Sequence, residues 1–179
     1  RHDVFHKDLL KKFPESVDPG TDAQWVYTGS KALTDAVDGV PLDAGQLVLS
    51  PTRTYAPIIQ AILPEWRNRI HGMVHCSGGA QTKVLHFIDG VHVIKDNLFP
   101  TPPLFRMIQA ESGTDWREMY TVFYMGHRME IYTDEEAAQA IIATAQSMGV
   151  DAQIIGRCEP SDAPQVTVSG EHGTFVYPS

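Results

Sequence analysis

The run Ile70-His-Gly-Met-Val-His-Cys-Ser-Gly-Gly-Ala-Gln-Thr-Lys83 holds the residue types whose order best suits chemistry. A short apolar strand leads into Ser77-Gly78-Gly79-Ala80 and then into a helix-forming stretch from Gln81. Strand, small-residue turn and helix is the arrangement that aims free backbone N–H groups at an anion, with the helix dipole adding to the attraction. Glycine lets a phosphate approach the main chain where a side chain would block it. The spacing is not that of a P-loop, because no GxxxxGK followed by Ser or Thr is present. Two readings stay open here, a phosphate cradle and a tight structural turn.

His71 and His75 would sit on one face of a helix and could share a metal there. On a strand, residues four apart are about 13 Å from each other, too far for one zinc ion. No metal site is therefore expected. His75, at the end of the strand and facing the glycine turn, has either a polar role at the turn or the bland part of a satisfied core or surface histidine. Cys76 points to the opposite face, and beside His75 it is a conceivable nucleophile only if its thiolate is favoured. Ser77 lacks the Gly-x-Ser-x-Gly elbow of a hydrolase.

Two further clusters carry polar side chains. Ser50-Pro-Thr-Arg-Thr-Tyr55 precedes a helix that Thr52 or Thr54 could cap. Arg53 there reads as a phosphate or carboxylate clamp, through its planar fork, or as a solvated arginine. In Phe123-Tyr-Met-Gly-His-Arg-Met129, Gly126 before a strand signals a bulge or a close approach to the backbone, flanked by His127 and Arg128. Arg1, His2 and Asp3 read as a polar triad or as the solvated start of a helix. Asp134, Glu135 and Glu136 suit the first turn of a helix and carry no catalytic reading.

The elements that must hold these residues follow from pattern. Helices are expected over His2–Phe13, Lys31–Ala36, Tyr55–Leu63, Gln81–Phe87, Pro103–Ala110, Trp116–Tyr120 and Thr133–Met148. In the last, Thr133 and Glu136 form a capping box, Ala137, Ile141, Ile142 and Ala145 an apolar stripe, and Gly149 follows the end. Strands are expected over Gln46–Leu49, Gly72–Cys76, Val91–Lys95, Met129–Tyr132, Ala152–Arg157, Gln165–Ser169 and Thr174–Tyr177, the final two forming a hairpin around Gly170–Gly173. Pro14–Thr28 and Asp96–Pro103 look irregular. The interleaving gives an α/β to α+β class with a mixed β-sheet and packed helices, and no domain boundary is placed within the chain.

Composition bounds the function. The 179 residues are 42% hydrophobic and 20% charged, which suits a folded domain and excludes disordered and fibrous classes. Fourteen Lys and Arg against 22 Asp and Glu leave a formal charge of −8, so neither nucleic acid nor an anionic membrane is a favoured partner. No apolar run approaches the ~18 residues of a membrane span. Two cysteines without a CxxC point to a reducing, cytoplasmic setting. The chain starts at Arg1, inside a helical pattern with no cap ahead of it, and is expected to be a piece of a longer one.

Ser-Pro-Thr-Arg-Thr-Tyr (50–55), His-Cys-Ser-Gly-Gly-Ala (75–80) and Phe-Tyr-Met-Gly-His-Arg-Met (123–129) occur in an order that resembles the aminoimidazole ribonucleotide (AIR) synthetase family, the phosphoribosylformylglycinamidine cyclo-ligases. Corresponding family patterns are Ala/Ser-Pro-Thr-Arg-x-Tyr, His-Ile/Leu-Thr-Gly-Gly-Gly and Phe-Asn-Met-Gly-x-Gly-Met. The opening Arg1-His-Asp-Val is similar to the end of the family's Ser-Ala-Arg-His-Asp-Val segment, and Ile155-Gly156 to the end of its late strand. The likeness runs across the chain but only over the family's C-terminal half. Ser77 stands for Thr, Ala80 for the third Gly, Gln81-Thr-Lys-Val-Leu for the usual Glu-Asn-Ile/Leu-Pro-Arg, Tyr124 for Asn, and His127-Arg128 for a small pair. These departures fit a divergent branch of the family.

The resemblance implies two α/β domains per chain and a homodimer, with ATP and Mg²⁺ held mostly by an N-terminal domain that residues 1–179 do not include. The implied reaction uses ATP to phosphorylate the formyl amide oxygen of formylglycinamidine ribonucleotide. An amidine nitrogen then attacks that carbon, the ring closes and phosphate leaves, giving AIR in purine biosynthesis. Such a reaction needs positioning and charge stabilisation more than a nucleophilic side chain. By the same resemblance Ser77, Gly78, Gly79 and Ala80 would cradle a phosphate and His75 would orient substrate or shuttle a proton. Thr52 and Arg53 would assist at the cleft, with His127 beside them. The alternatives are a stand-alone ligand-binding or assembly domain of the same fold, or a sibling such as formylglycinamidine ribonucleotide synthetase, selenophosphate synthetase or thiamine-monophosphate kinase.

Overall fold

In chain order the elements are α1 (Asp8–Lys12), α2 (Ala44–Val48), α3 (Ala56–Trp66), β1 (Ile70–His75), a 3-10 segment (Ala80–Phe87), β2 (Val91–Lys95), α4 (Pro103–Ser112), α5 (Trp116–Val122), β3 (Met129–Thr133), α6 (Glu135–Ser147), β4 (Gly156–Pro160), β5 (Gln165–Gly170) and β6 (Gly173–Pro178), with short 3-10 turns between some of them. The computed structural model describes every residue except Arg1, Thr52 and Ser179. The class is mixed α/β, with helices packed on antiparallel and mixed sheets. The chain divides into two compact units, Arg1–Pro51 with Thr101–Met119, and Thr52–Pro100 with Tyr120–Ser179.

The first unit is built around Val4, Phe5, Val26, Tyr27, Ala44, Leu47 and Met107. Three expectations fail in it. The N-terminal helix is confined to Asp8–Lys12, because Val4 and Phe5 are both buried, Val4 in a turn and Phe5 in a β-bridge to Lys31. Lys31 N–H donates to Val4 O and Gly29 N–H to Phe5 O, at 3.0 and 3.1 Å. A Cβ at Gly29 would lie 2.2 Å from Val4 O, so only glycine fits the crossing. The pairing also draws in Lys31, and residues 31–36 form turns rather than a helix. The strand expected at Gln46–Leu49 is instead helix α2, because Asp43 and Gln46 close a capping box ahead of it.

The second unit holds both sheets. β1 pairs antiparallel with β3. The other sheet has the order β4-β2-β5-β6, in which β2 and β5 run parallel and the other neighbours antiparallel. Ile58 and Ile62 of α3 meet Ile141 and Ala145 of α6 in an apolar layer. The cap of α6 is Asp134, whose carboxylate accepts from Ala137 N–H, whereas the expected Thr133 donates its hydroxyl to Arg69 O. β4 starts later than expected, at Gly156, where a Cβ would sit 1.9 Å from Ile94 O. Ile155-Gly156 therefore opens a strand rather than ending one. The β5–β6 hairpin closes through the Gly170–Gly173 pair as expected.

Candidate functional site

β1 ends at His75, and the next residues turn sharply. Ser77 N–H donates to His75 O and Ala80 N–H to Ser77 O, each at 2.8 Å. Gly79 has φ +88° and Ala80 φ +42°, two consecutive left-handed residues, the second of them non-glycine and buried. A left-handed backbone at this position favours glycine, so an alanine there carries strain. Among the described residues, the N–H groups of Gly78 and Gly79 enter no backbone hydrogen bond. One turn of 3-10 later, Lys83 brings its ammonium back to Ser77 Oγ at 2.7 Å. Two amides, a hydroxyl and a cation thus share one exposed turn, a donor set suited to an anion.

Behind the turn lies a buried polar cluster. Lys95, the last residue of β2, places Nζ 2.5 Å from Glu130 Oε1 on β3, linking the two sheets. The same ammonium donates to Gln81 O at 2.7 Å and to Gln81 Oε1 at 3.2 Å, so its three donors are all used. Gln81 Nε2 in turn donates to Tyr124 O. Glu130 also accepts from Tyr132 OH and lies 2.8 Å from His127 Nε2.

Burial alone would raise the Glu130 carboxyl, but the hydrogen bond with His127 and the charge of Lys95 outweigh it and hold the group down at about 2. An ionised carboxylate only accepts, so His127 Nε2 carries the hydrogen between them. The other ring atom, Nδ1, is buried without a hydrogen-bond partner among the described residues. Burial pushes the Tyr132 hydroxyl and the Cys76 thiol up, with Glu130 reinforcing both. Cys76 therefore stays a thiol at neutral pH, which removes the nucleophile reading.

The candidates from the sequence fall into three places. Ser77, Gly78, Gly79 and Ala80 form the turn itself, and His75 is exposed at its entrance. His127, expected beside a cleft, is buried against Glu130 and Gln81. Arg53 is exposed ahead of α3, joined to the turn by no hydrogen bond or ion pair among the described residues, and Thr52 lies outside the described residues. Thr54, the other candidate cap, accepts from Ala56 N–H at 3.3 Å. The close approach foreseen at Gly126 is made by the chain itself, since a Cβ there would meet Phe99 Cβ at 2.9 Å.

His71 and His75 are both exposed on β1. Among the described residues, the three-residue set with donor atoms within 4.8 Å of one another is instead Cys76, His127 and Glu130. Its thiol and imidazole suit Mg²⁺ poorly, and its carboxylate already holds the Lys95 ammonium. Sequence reasoning missed Lys83, Lys95, Gln81 and Glu130. It also treated as separate departures residues that are partners: Gln81 binds the Tyr124 carbonyl, and Arg128 donates to Tyr124 OH at 2.8 Å while lying over its ring.

A mixed α/β chain with a glycine turn between β1 and a 3-10 segment defines the class structurally. Residues 27–169 match the family model described as "AIR synthase related protein, C-terminal domain", and the chain belongs to that family. Curated relatives include the phosphoribosylformylglycinamidine cyclo-ligase of Syntrophus aciditrophicus, 30% identical over 146 residues that make up 76% of this chain and 40% of that protein. The enzyme of the same name from Bacillus licheniformis is 34% identical over 63% of this chain and 33% of its own length. That from Methanocaldococcus jannaschii is 32% identical over 62% and 31%. The chain thus spans between 31% and 40% of these relatives. The crystal structure of E. coli HypE, a hydrogenase maturation protein, is similar in fold, with a TM-score of 0.51 and 20% identity over 80% of this chain and 41% of HypE. Among the described residues no helix is long and apolar enough to cross a membrane.

Proposed function

We propose that this chain is the C-terminal, substrate-side half of an ATP-dependent cyclo-ligase that converts formylglycinamidine ribonucleotide to AIR. The observation that carries the proposal is the family match, which encloses the whole turn and the cluster behind it. The names of the relatives support that reaction. In this reading Gly78 and Gly79 N–H groups and Ser77 bind the ribonucleotide phosphate, Lys83 supplies the countercharge, and exposed His75 and Arg53 face the rest of the substrate. ATP and Mg²⁺ bind mainly on the portion of such an enzyme outside this chain. The assembled enzyme is a cytoplasmic homodimer with neither nucleic acid nor membrane as partner.

The likeness to HypE supports a second reading, a sibling that shares the fold and acts on another substrate. Thermal shift of the chain separates the two, with formylglycinamidine ribonucleotide and Mg-ATP added separately. The cyclo-ligase reading expects stabilisation by the ribonucleotide and none by Mg-ATP. Stabilisation by Mg-ATP alone overturns that division and favours a kinase-like sibling.

A further inference from the structure

Ala80 is held in a left-handed backbone that side chains rarely adopt, and such strain persists only where the surroundings over-determine it. Its neighbour Gln81 supplies that determination. Gln81 is fully buried, its carbonyl and side-chain oxygen both accept from Lys95, and its amide donates to Tyr124 O. Lys95 is fixed in turn by Glu130, which His127 and Tyr132 also bind. A buried ion pair is a weak source of net stability, because desolvation offsets the attraction. Its effect here is on geometry, since it joins two sheets and the first residues of the 3-10 segment at one ammonium.

We propose that the Lys95–Glu130 pair is a positioning device for the Ser77–Gly79 turn, with Lys95 as a positioning residue that acts through Gln81 to keep Gly79 and Ala80 left-handed. This rests on the anion-site reading for its purpose, but not for its mechanics. Lys95 is buried behind the turn, its ammonium taken up by Gln81 and Glu130. It sets the backbone from which the Gly78 and Gly79 amides project.

The test replaces the pair by apolar residues of similar size, Lys95→Met with Glu130→Leu, which strands no charge. Three quantities are read on the same protein: Tm, amide hydrogen exchange along the chain, and affinity for inorganic phosphate by NMR titration. Exchange at Gly79, Ala80 and Gln81 should quicken selectively, and phosphate affinity should fall about tenfold, the loss of roughly one well-placed donor. Tm should fall as well, because Gln81, His127 and Tyr132 lose buried partners, so the selectivity of the exchange at the turn is the deciding readout. Adding Ala80→Gly to the double variant should restore phosphate affinity, because glycine needs no clamp to stay left-handed.

Unchanged exchange at the turn overturns the proposal, as does a uniform quickening that tracks a fall in Tm, which marks a purely structural pair. If wild-type protein binds no phosphate while exchange still quickens locally, the positioning role stands and the anion-site reading falls. Should the double variant fail to fold, Gln81→Met leaves the ion pair intact and removes the side-chain bonds. The same selective quickening is then expected, and its absence sinks the proposal.

Discussion

His127 Nε2 lies 2.8 Å from Glu130 Oε1, across the entry to β3, with both side chains buried. Glu130 thereby accepts from an imidazole, an ammonium and a phenol at once. A carboxylate so surrounded is ionised in the folded state well below the pH at which it ionises in an open chain.

That relationship has a pH signature. The Glu130 carboxyl sits at about 2 when folded, against an ordinary value of 4.5, so its ionised form contributes stability above about pH 4.5. The contribution is lost as pH falls from about 4.5 towards 2. Wild-type Tm should drop more steeply across that window than Tm of Glu130→Gln, measured by calorimetry at matched salt. Parallel slopes would show that Glu130 is not held low.

The turn offers a clean separation of binding from folding. A Cβ at Gly78 meets nothing within 4 Å, and its φ is not left-handed, whereas one at Gly79 meets Lys83 Cα at 3.3 Å from a left-handed backbone. Gly78→Asp should keep Tm and abolish phosphate binding, by placing a carboxylate where the anion would sit. Gly79→Asp should lose both. Phosphate affinity unaltered in Gly78→Asp would remove the anion assignment.

Gly126 is tightly enclosed. Its φ is +135°, and a methyl group there would lie 2.9 Å from Phe99 Cβ, so Gly126→Ala must push the Phe99 segment aside. A loss of about 2 kcal/mol or more in denaturant unfolding is expected. A neutral result would mean that the Phe99 segment yields freely.

Asp134 does two tasks where Glu136 does one. It caps α6 through Ala137 N–H and binds Arg69 through two guanidinium nitrogens, while Glu136 takes a single bond from the same Arg69. Thermal melts should show Asp134→Ala below Glu136→Ala. Equal melts would place the cap elsewhere.

The turn, the β5–β6 hairpin and α6 were legible because local signals specify them: small residues after a strand, glycines at a reversal, an apolar stripe. The miss at α2 was avoidable. Asp43 and Gln46 carry a capping-box signal that Gln46-Leu-Val-Leu outweighed on strand propensity. The cluster was hidden for another reason. The bonds that join Gln81, Lys95 and the start of β3 span 14 to 46 residues, and a Lys at a strand end beside Asp96 reads as solvated. Alternation held the clue, since Val93 is buried and Lys95 follows it on the same face. His127 was found by type but misplaced, because nothing local tells a buried imidazole from one lining a cleft.

The joint between β2 and β3 also constrains how this sequence can drift. Lys95 and Glu130 have side-chain exposures of 1% and 3%, so replacing either alone leaves an unpaired charge inside, at about 3–5 kcal/mol. That is a large share of the roughly 5–15 kcal/mol that holds a domain folded. The route from this interior to an apolar one of equal stability passes through an intermediate that barely folds. A lineage carrying the pair is held to it by the valley on either side, and the two positions are expected to change together or not at all.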